Sequence, residues 1–332
     1  MAQILPCRQD TMKVLVTGAA GMLGHRFCRK LAQTGTIAGK KVESLTMTDV
    51  VDSPAIADAP FKIRSVACDL SEPRVAEQVI ADRPDIILHA AAIVSGEAEA
   101  DFDKGYRVNV TGTRYLFEAV RKAAYVPRLI FTSSIAVFGA PFPEVIGEEF
   151  FAAPRTSYGA QKAIGELLLS DYTRRGFFDG IGIRLPTICV RPGKPNKAAS
   201  GFFSNIIREP LNGQEAVLPV PETTRHWFAS PGSAVGFFFR AAEIDGAVVG
   251  PRRNLSMPGL SATVSEMIES LGRCAGAERV KLIRRQPDPV IMRIVEGWPR
   301  NLDASRARSL GFEAETNFDA IIRAHIEDEH RN

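Results

Sequence analysis

The chain has 332 residues, 45% of them hydrophobic and 24% charged, with a formal net charge of +3. That balance is ordinary for a globular core and excludes a disordered chain. With so small a charge and no Lys/Arg block, neither nucleic acid nor a membrane surface is expected as a partner.

Five scattered cysteines form no C-x-x-C, which argues against a disulfide framework and structural zinc, so no metal site is expected. No apolar run reaches the roughly 18 residues of a membrane span. The start carries no basic stretch followed by an apolar one, so a cytoplasmic protein is expected.

Residues 1–11 precede the first recognisable strand and read as an N-terminal extension. Apolar runs at 13–17, 44–48, 61–67, 85–89, 128–132 and 180–185 read as strands. Helical patterns at 21–33, 106–124 and 157–174 fall between them. Short continuous apolar strands alternating with helices imply a parallel sheet covered on both faces. Right-handed crossovers then give an α/β, Rossmann-type doubly wound sheet. Residues 12–190 are expected to form the dinucleotide-binding domain, which also carries the catalytic residues. Residues 191–200 read as a loop, and 191–332 as a smaller C-terminal α/β substrate lobe. The helix near 230–243 is expected to pack back on the first domain.

The first strand runs into Thr17-Gly18-Ala19-Ala20-Gly21-Met22-Leu23-Gly24, a G-x-x-G-x-x-G that opens a helix. Gly18 permits the tight turn, Gly21 lets backbone approach a pyrophosphate, and Gly24 permits close helix packing. The helix start at Met22 and Leu23 offers N–H groups to the phosphates. A glycine-rich turn without a ligand is the bland alternative. Asp49 ends the second strand, where a carboxylate accepts from ribose hydroxyls and repels a 2′-phosphate, favouring NAD over NADP. Asp52 or a plain turn residue is the alternative. Asp69 and Leu70 follow the third strand; Asp69 either meets the adenine amino group or caps a helix. Ala90 and Ala91 are small where backbone must pass close to the cofactor, and His89 beside them reads as a packed strand-end residue.

Tyr158 and Lys162 stand at i and i+4 and share a helix face. Ser134 lies just past the fifth strand, at the carboxyl ends where doubly wound folds bind ligands. A tyrosine base needs its pKa lowered from about 10. An ammonium about 4 Å away is worth about 4 kcal/mol at an effective dielectric near 20, so Lys162 is expected to make Tyr158 an adequate base. A solvated helix face is the alternative for Tyr-x-x-x-Lys alone.

Gly18-x-x-Gly21-x-x-Gly24, Asp49, Asp69-Leu70, Asn109, Ser134 and Tyr158-x-x-x-Lys162 together resemble the extended short-chain dehydrogenases, the NAD-dependent epimerase/dehydratase family, over essentially the whole chain. The resemblance implies NAD as cofactor. It makes Tyr158 the proton acceptor and donor, Ser134 the residue that orients the reacting oxygen, and Lys162 a holder of the nicotinamide ribose. Asn109 would organise a water or a backbone carbonyl near the lysine. Pro186 and Thr187 would touch the nicotinamide carboxamide. A homodimer through the helices starting at Tyr106 and Ser157 is implied as well.

Departures from that family narrow the substrate. Dehydratases carry Thr-Asp-Glu where this chain has Ser133-Ser134-Ile135, so the carboxylates for eliminating water are missing. Arg225-His226-Trp227 replaces the Arg-Asp-aromatic of many epimerases. Arg191, Lys194 and Lys197 in the loop after the sixth strand can bind a carboxylate, or form a solvated basic loop. Arg191 or Lys197 is the expected anchor, with Arg225 second; Ser95 and Ser133 are candidate substrate walls. The segments 134–139, 160–169 and 184–197 resemble a group close to the uronate dehydrogenases that oxidises the C2 hydroxyl of a four-carbon sugar acid. A sugar or nucleotide-sugar epimerase, a uronate dehydrogenase and an NAD-sensing scaffold are the competing expectations.

Overall fold

The computed structural model describes residues 11–193 and 200–329. Its first strands are β1 (Thr11–Thr17), β2 (Thr36–Ile37), β3 (Lys40–Asp49), β4 (Lys62–Ala67), β5 (Ile86–His89), β6 (Arg128–Ser134) and β7 (Asp179–Leu185). The later ones are β8 (Thr187–Ile188), β9 (Ala216–Leu218), β10 (Arg225–Ala229), β11 (Asn254–Ser256), β12 (Leu260–Thr263) and β13 (Ile283–Arg285). Helices α1 (Met22–Thr34), α2 (Val75–Val79), α3 (Ser95–Ala100) and α4 (Phe102–Gly105) precede α5 (Thr113–Ala123), α6 (Ser157–Arg174), α7 (Gly201–Leu211) and α8 (Pro231–Glu243).

The main sheet runs β11-β7-β6-β5-β1-β3, with β4 parallel and β2 antiparallel to β3. The chain winds outward from β1 to β4 on one side and from β5 to β7 on the other. A crevice therefore opens between the carboxyl ends of β1 and β5, where the winding reverses. Phe27, Leu31, Phe237 and Phe238 bury one face of the sheet under α1 and α8. Leu116, Phe117, Val120 and Leu169 bury the other under α5 and α6.

The two halves interleave. Phe237, Phe238 and Ala241 on α8 are fully buried against the first core, and β11 pairs with β7, covering what would be an open sheet edge. In return β8 pairs with β10 in a small second sheet, β12-β10-β8. Phe203, Phe228, Leu271 and Ile321 form that lobe's own core. No described helix is long and apolar enough to cross a membrane.

One expected helix divides. Residues Tyr106–Gly112 form a π-helix that α5 continues. The wider turn carries Asn109 inward, where its Oδ1 accepts from Ile93 N at 2.9 Å and its Nδ2 donates to Gln161 Oε1 at 2.7 Å. Such single wide turns recur where a side chain must be aimed at a functional neighbour.

Candidate active site

The glycine loop is shaped by close approach. Gly18 has φ +74°, and a Cβ there would stand 2.6 Å from the Ala90 carbonyl carbon. A Cβ on Gly24 would stand 2.1 Å from the Gly18 carbonyl oxygen. At Gly21, which caps α1 without a side-chain bond, a Cβ would meet only Gly18 O, at 3.2 Å. The first turn of α1 carries no acid, so its N–H groups and positive dipole end remain available to phosphates. This cradle fits a dinucleotide.

Asp49 Oδ2 accepts from Ala20 N at 3.0 Å, tying the end of β3 to the glycine loop. Asp69 is spent within the protein: Oδ1 accepts from Ser71 N at 2.8 Å, and Oδ2 pairs with Arg107 at 2.7 Å. Burial pushes the Asp69 carboxyl upward, yet Ser71 and Arg107 hold it below the usual range. His89 is packed, with Thr17 Oγ1 at 2.7 Å and Thr113 Oγ1 at 2.9 Å; burial and then the Lys162 charge push its pKa down to about 3.

A cavity of about 450 Å³ runs from this loop across the crevice into the second lobe. Gly18, Gly21, Met22, Leu23, Gly24 and Ala90 line its first end. Ser95, Ser134, Tyr158, Lys162, Pro186 and Thr187 line the middle. Arg191, Ser204, Asn205, Arg208, His226 and Trp298 line the far end. Ser133 touches the cavity too, but its hydroxyl donates to Glu166 Oε1 at 2.6 Å. Asp49, Asp69, Leu70, Ala91 and Asn109 are not among the residues that line the cavity. Arg225 also lies outside it, donating to Ser261 O at 3.1 Å and paired with Glu266. Lys197 lies outside the described residues.

Helix α6 starts at a Thr156 cap, whose Oγ1 accepts from Gly159 N at 3.1 Å. One turn on, Lys162 Nζ donates to Thr132 O at 2.8 Å and stands 5.7 Å from the Tyr158 ring centre. Tyr158, Lys162 and Ser134 thus converge at the end of β6. Spacing makes Lys162, helped by the cationic ring of NAD, the group expected to acidify Tyr158; two further groups of the protein act on the phenol in the folded site. Burial pushes the phenol up to about 12, and the groups pulling it down are the Arg191 guanidinium and the Ser134 hydroxyl. Burial also pushes Lys162 down to about 7, against the pull of Glu166. Removal from water penalises both charged forms, and a charge count from sequence omits that cost.

The Lys162 shift sets a sign for stability. The unfolded lysine stays protonated to about pH 10, while the folded one gives up its proton near 7. Between those values the unfolded chain binds more protons, so stability rises with pH. Lys162→Met is expected to melt higher than the wild type near pH 6, with the gap closing toward alkaline pH. Circular dichroism melts across that range check it.

Behind the lysine lies a buried acid. Glu166, 4% exposed, takes Arg184 Nε at 2.9 Å and Nη2 at 2.8 Å. Glu166→Ala would leave Arg184 without its acid and should cost about 3–5 kcal/mol in urea denaturation.

Spacing named Arg191 but missed its neighbours Arg208, His226 and Trp298 at the far end of the cavity. Of its cations, Arg208 is paired with Glu209 and braces Arg191 O at 2.8 Å. Arg191 is half-buried, and among the described residues its guanidinium donates to neutral oxygens, Ile188 O at 3.1 Å and Ser200 Oγ at 3.3 Å. His226 neighbours Arg225 in β10, and strand alternation sends the two to opposite faces. That period separates the two, and the fold decides that His226 is the one lining the cavity. Arg208 and Trp298 gave no such signal, since their neighbours come from distant segments.

A profile of the NAD dependent epimerase/dehydratase family matches residues 14–229, a stretch that holds the glycine loop, Ser134, Tyr158, Lys162 and β10. The chain belongs to the NAD dependent epimerase/dehydratase family. As a member it takes NAD. It is similar to the D-erythronate dehydrogenase of Cupriavidus necator, 47% identical over 96% of this chain and 98% of that one. The D-erythronate dehydrogenase of Haemophilus influenzae is 41% identical over 95% and 99%. Among solved structures, one described as a nucleoside-diphosphate-sugar epimerase from Agrobacterium tumefaciens superposes with a TM-score of 0.94 at 61% identity, covering 97% of this chain and 95% of that one. L-threonine dehydrogenase from Clostridium difficile shares the family fold, with a TM-score of 0.83 at 21% identity over 96% and 98%.

Proposed function

We propose that this chain is an NAD-dependent oxidoreductase that converts the C2 hydroxyl of a short sugar acid, D-erythronate first, into the 2-keto acid. One observation carries the substrate class. Arg191 lines the catalytic cavity, acts on the Tyr158 phenol, and has no carboxylate partner among the described residues. A half-buried guanidinium facing the reacting centre suits a carboxylate beside the carbon being oxidised. The two relatives named for D-erythronate support the same chemistry.

When bound, NAD supplies the hydride acceptor and a positive ring beside the phenol. Gly18, Gly21, Met22, Leu23 and Gly24 would hold its phosphates, Asp49 would accept from its ribose hydroxyls, Ala90 and Ala91 would let it pass close, and Pro186 and Thr187 would meet its carboxamide. Asn109 fixes the backbone of Ile93 beside them. Tyr158 Oη takes the proton of the C2 hydroxyl, and Ser134 Oγ hydrogen-bonds the same oxygen. Lys162, held on Thr132 O, supports the phenolate from behind in its protonated form, and Arg191 holds the carboxylate so that the C2 hydrogen leaves as hydride. Ser95 walls the substrate. In the same reading residues 12–190 carry cofactor and chemistry, 191–332 close over the substrate, and the enzyme works in the cytoplasm as a homodimer through α5 and α6. The outward Leu167 of α6 is 72% exposed and suits such a contact.

The test is NADH formation with D-erythronate and a panel of longer aldonates and uronates. Net NADH accumulating with D-erythronate supports the assignment. Turnover of nucleotide sugars alone, with NAD regenerated and no net NADH, overturns it in favour of an epimerase. A preference for uronates moves the chain to the uronate dehydrogenases.

A further inference from the structure

Helix α7 lends one face to the far end of the cavity. Gly201, Ser204, Asn205 and Arg208 stand at i, i+3, i+4 and i+7 and so share a side of the helix, and all four line the cavity. Arg208 is 5% exposed and organises that face. Its Nη1 donates to Arg191 O and its Nη2 to Asn205 Oδ1, each at 2.8 Å, while Glu209 matches its charge. Ser204 Oγ accepts from Arg191 N at 3.0 Å. The main chain of Arg191 is therefore held by α7 through both its N–H and its carbonyl, beside Asn205. A guanidinium only donates, so the Asn205 amide turns its oxygen to Arg208 and its NH2 group away. That Nδ2 donates to nothing among the described residues. It is also not enclosed: Asn205 is half-buried, and its Nδ2 is not one of the buried side-chain atoms left without a partner. Arg191 meanwhile spends Nε on Ile188 O and an Nη2 hydrogen on Ser200 Oγ, which leaves the end of its guanidinium for an acid. A carboxylate offers about four acceptor sites on two oxygens, more than that end can fill.

We propose that Asn205 is a substrate-binding residue, whose amide NH2 donates to the carboxylate that Arg191 holds. This rests on the sugar-acid function above. One guanidinium, that of Arg208, fixes both donors, Asn205 by its amide oxygen and Arg191 by its main-chain carbonyl. The pair is thus set before the substrate arrives, which lowers the ordering cost of binding. The neutral amide adds direction to the attraction of the cation and orients the acid end of the substrate.

The experiment measures NAD affinity, and kcat and KM for the sugar acid that the wild type turns over best, D-erythronate first, in wild type, Asn205→Ala and Asn205→Asp. Asn205→Ala removes the donor and should lower kcat/KM roughly 10- to 100-fold, mainly through KM, while NAD affinity holds. Asn205→Asp keeps an oxygen for Arg208 but puts an anion where the NH2 group was, so it should lose more than Asn205→Ala. A loss that came only from Arg208 releasing Arg191 would spare Asn205→Asp, so the order of the two variants separates substrate binding from positioning. Wild-type kinetics in Asn205→Ala, or an Asn205→Asp that loses no more than Asn205→Ala, would overturn the role of Asn205 and leave the dehydrogenase assignment standing. A wild type inert toward every sugar acid would overturn both.

Discussion

Tyr158→Phe is expected to lower kcat for D-erythronate by about 100- to 10,000-fold, the range over which a positioned base contributes. The ring fills the same space and only the hydroxyl goes, so NAD affinity and the unfolding midpoint should stay near wild type. The folded site explains why so much rests on one oxygen. Burial holds the phenol near 12, and Arg191 and Ser134 pull it down; the rest of the acidification must come when charge arrives in the cavity. Steady-state NADH production together with a cofactor-binding titration separates the two effects. A Phe variant that turns over normally would remove Tyr158 from the proton chemistry.

Arg191→Met should lose about 100- to 1,000-fold in kcat/KM, the 2–5 kcal/mol expected when one side of a charge pair out of water is truncated. The loss should fall on KM, because the guanidinium holds the carboxylate in ground state and transition state alike, and on kcat too, because the same charge pulls the Tyr158 phenol down. Stability should hold. Arg191 gives up one bond to the Ile188 carbonyl and a long one to Ser200, while the cost of keeping an unmatched cation partly out of water goes with them. Arg191→Lys should recover only part of the loss, since an ammonium cannot match a carboxylate with two parallel donors. Kinetics across a concentration series and a urea melt report both quantities. Unchanged kcat/KM in Arg191→Met would move the carboxylate elsewhere in the cavity.

The glycine loop and the Tyr158–Lys162–Ser134 cluster were legible because their geometry is local or set by the parallel sheet. Gly18 turns at positive φ within its own loop. Tyr158 and Lys162 are one helical turn apart, and Ser134 ends a strand whose neighbours are forced by the winding order. The antiparallel β2–β3 hairpin was missed, although Ala38 and Gly39 both take positive φ, the turn that Gly after a small residue permits. Asp69 was legible only as a pair of alternatives. Its partner Arg107 is brought across by the π-helix turn, and no spacing rule joins them.

Sequence by itself therefore determined the doubly wound sheet, the tight glycine loop and the placing of Tyr158 and Lys162 on one helix face, because period, turn chemistry and i, i+4 geometry act over a few residues. Tertiary structure alone decided which side chains close the far end of the cavity and how its acids and bases titrate. Arg191, Arg208, His226 and Trp298 meet only when the second lobe folds onto the crevice. The pKa values of Tyr158 and Lys162 follow from how much water that meeting removes, a quantity that belongs to the packed molecule and not to any stretch of chain.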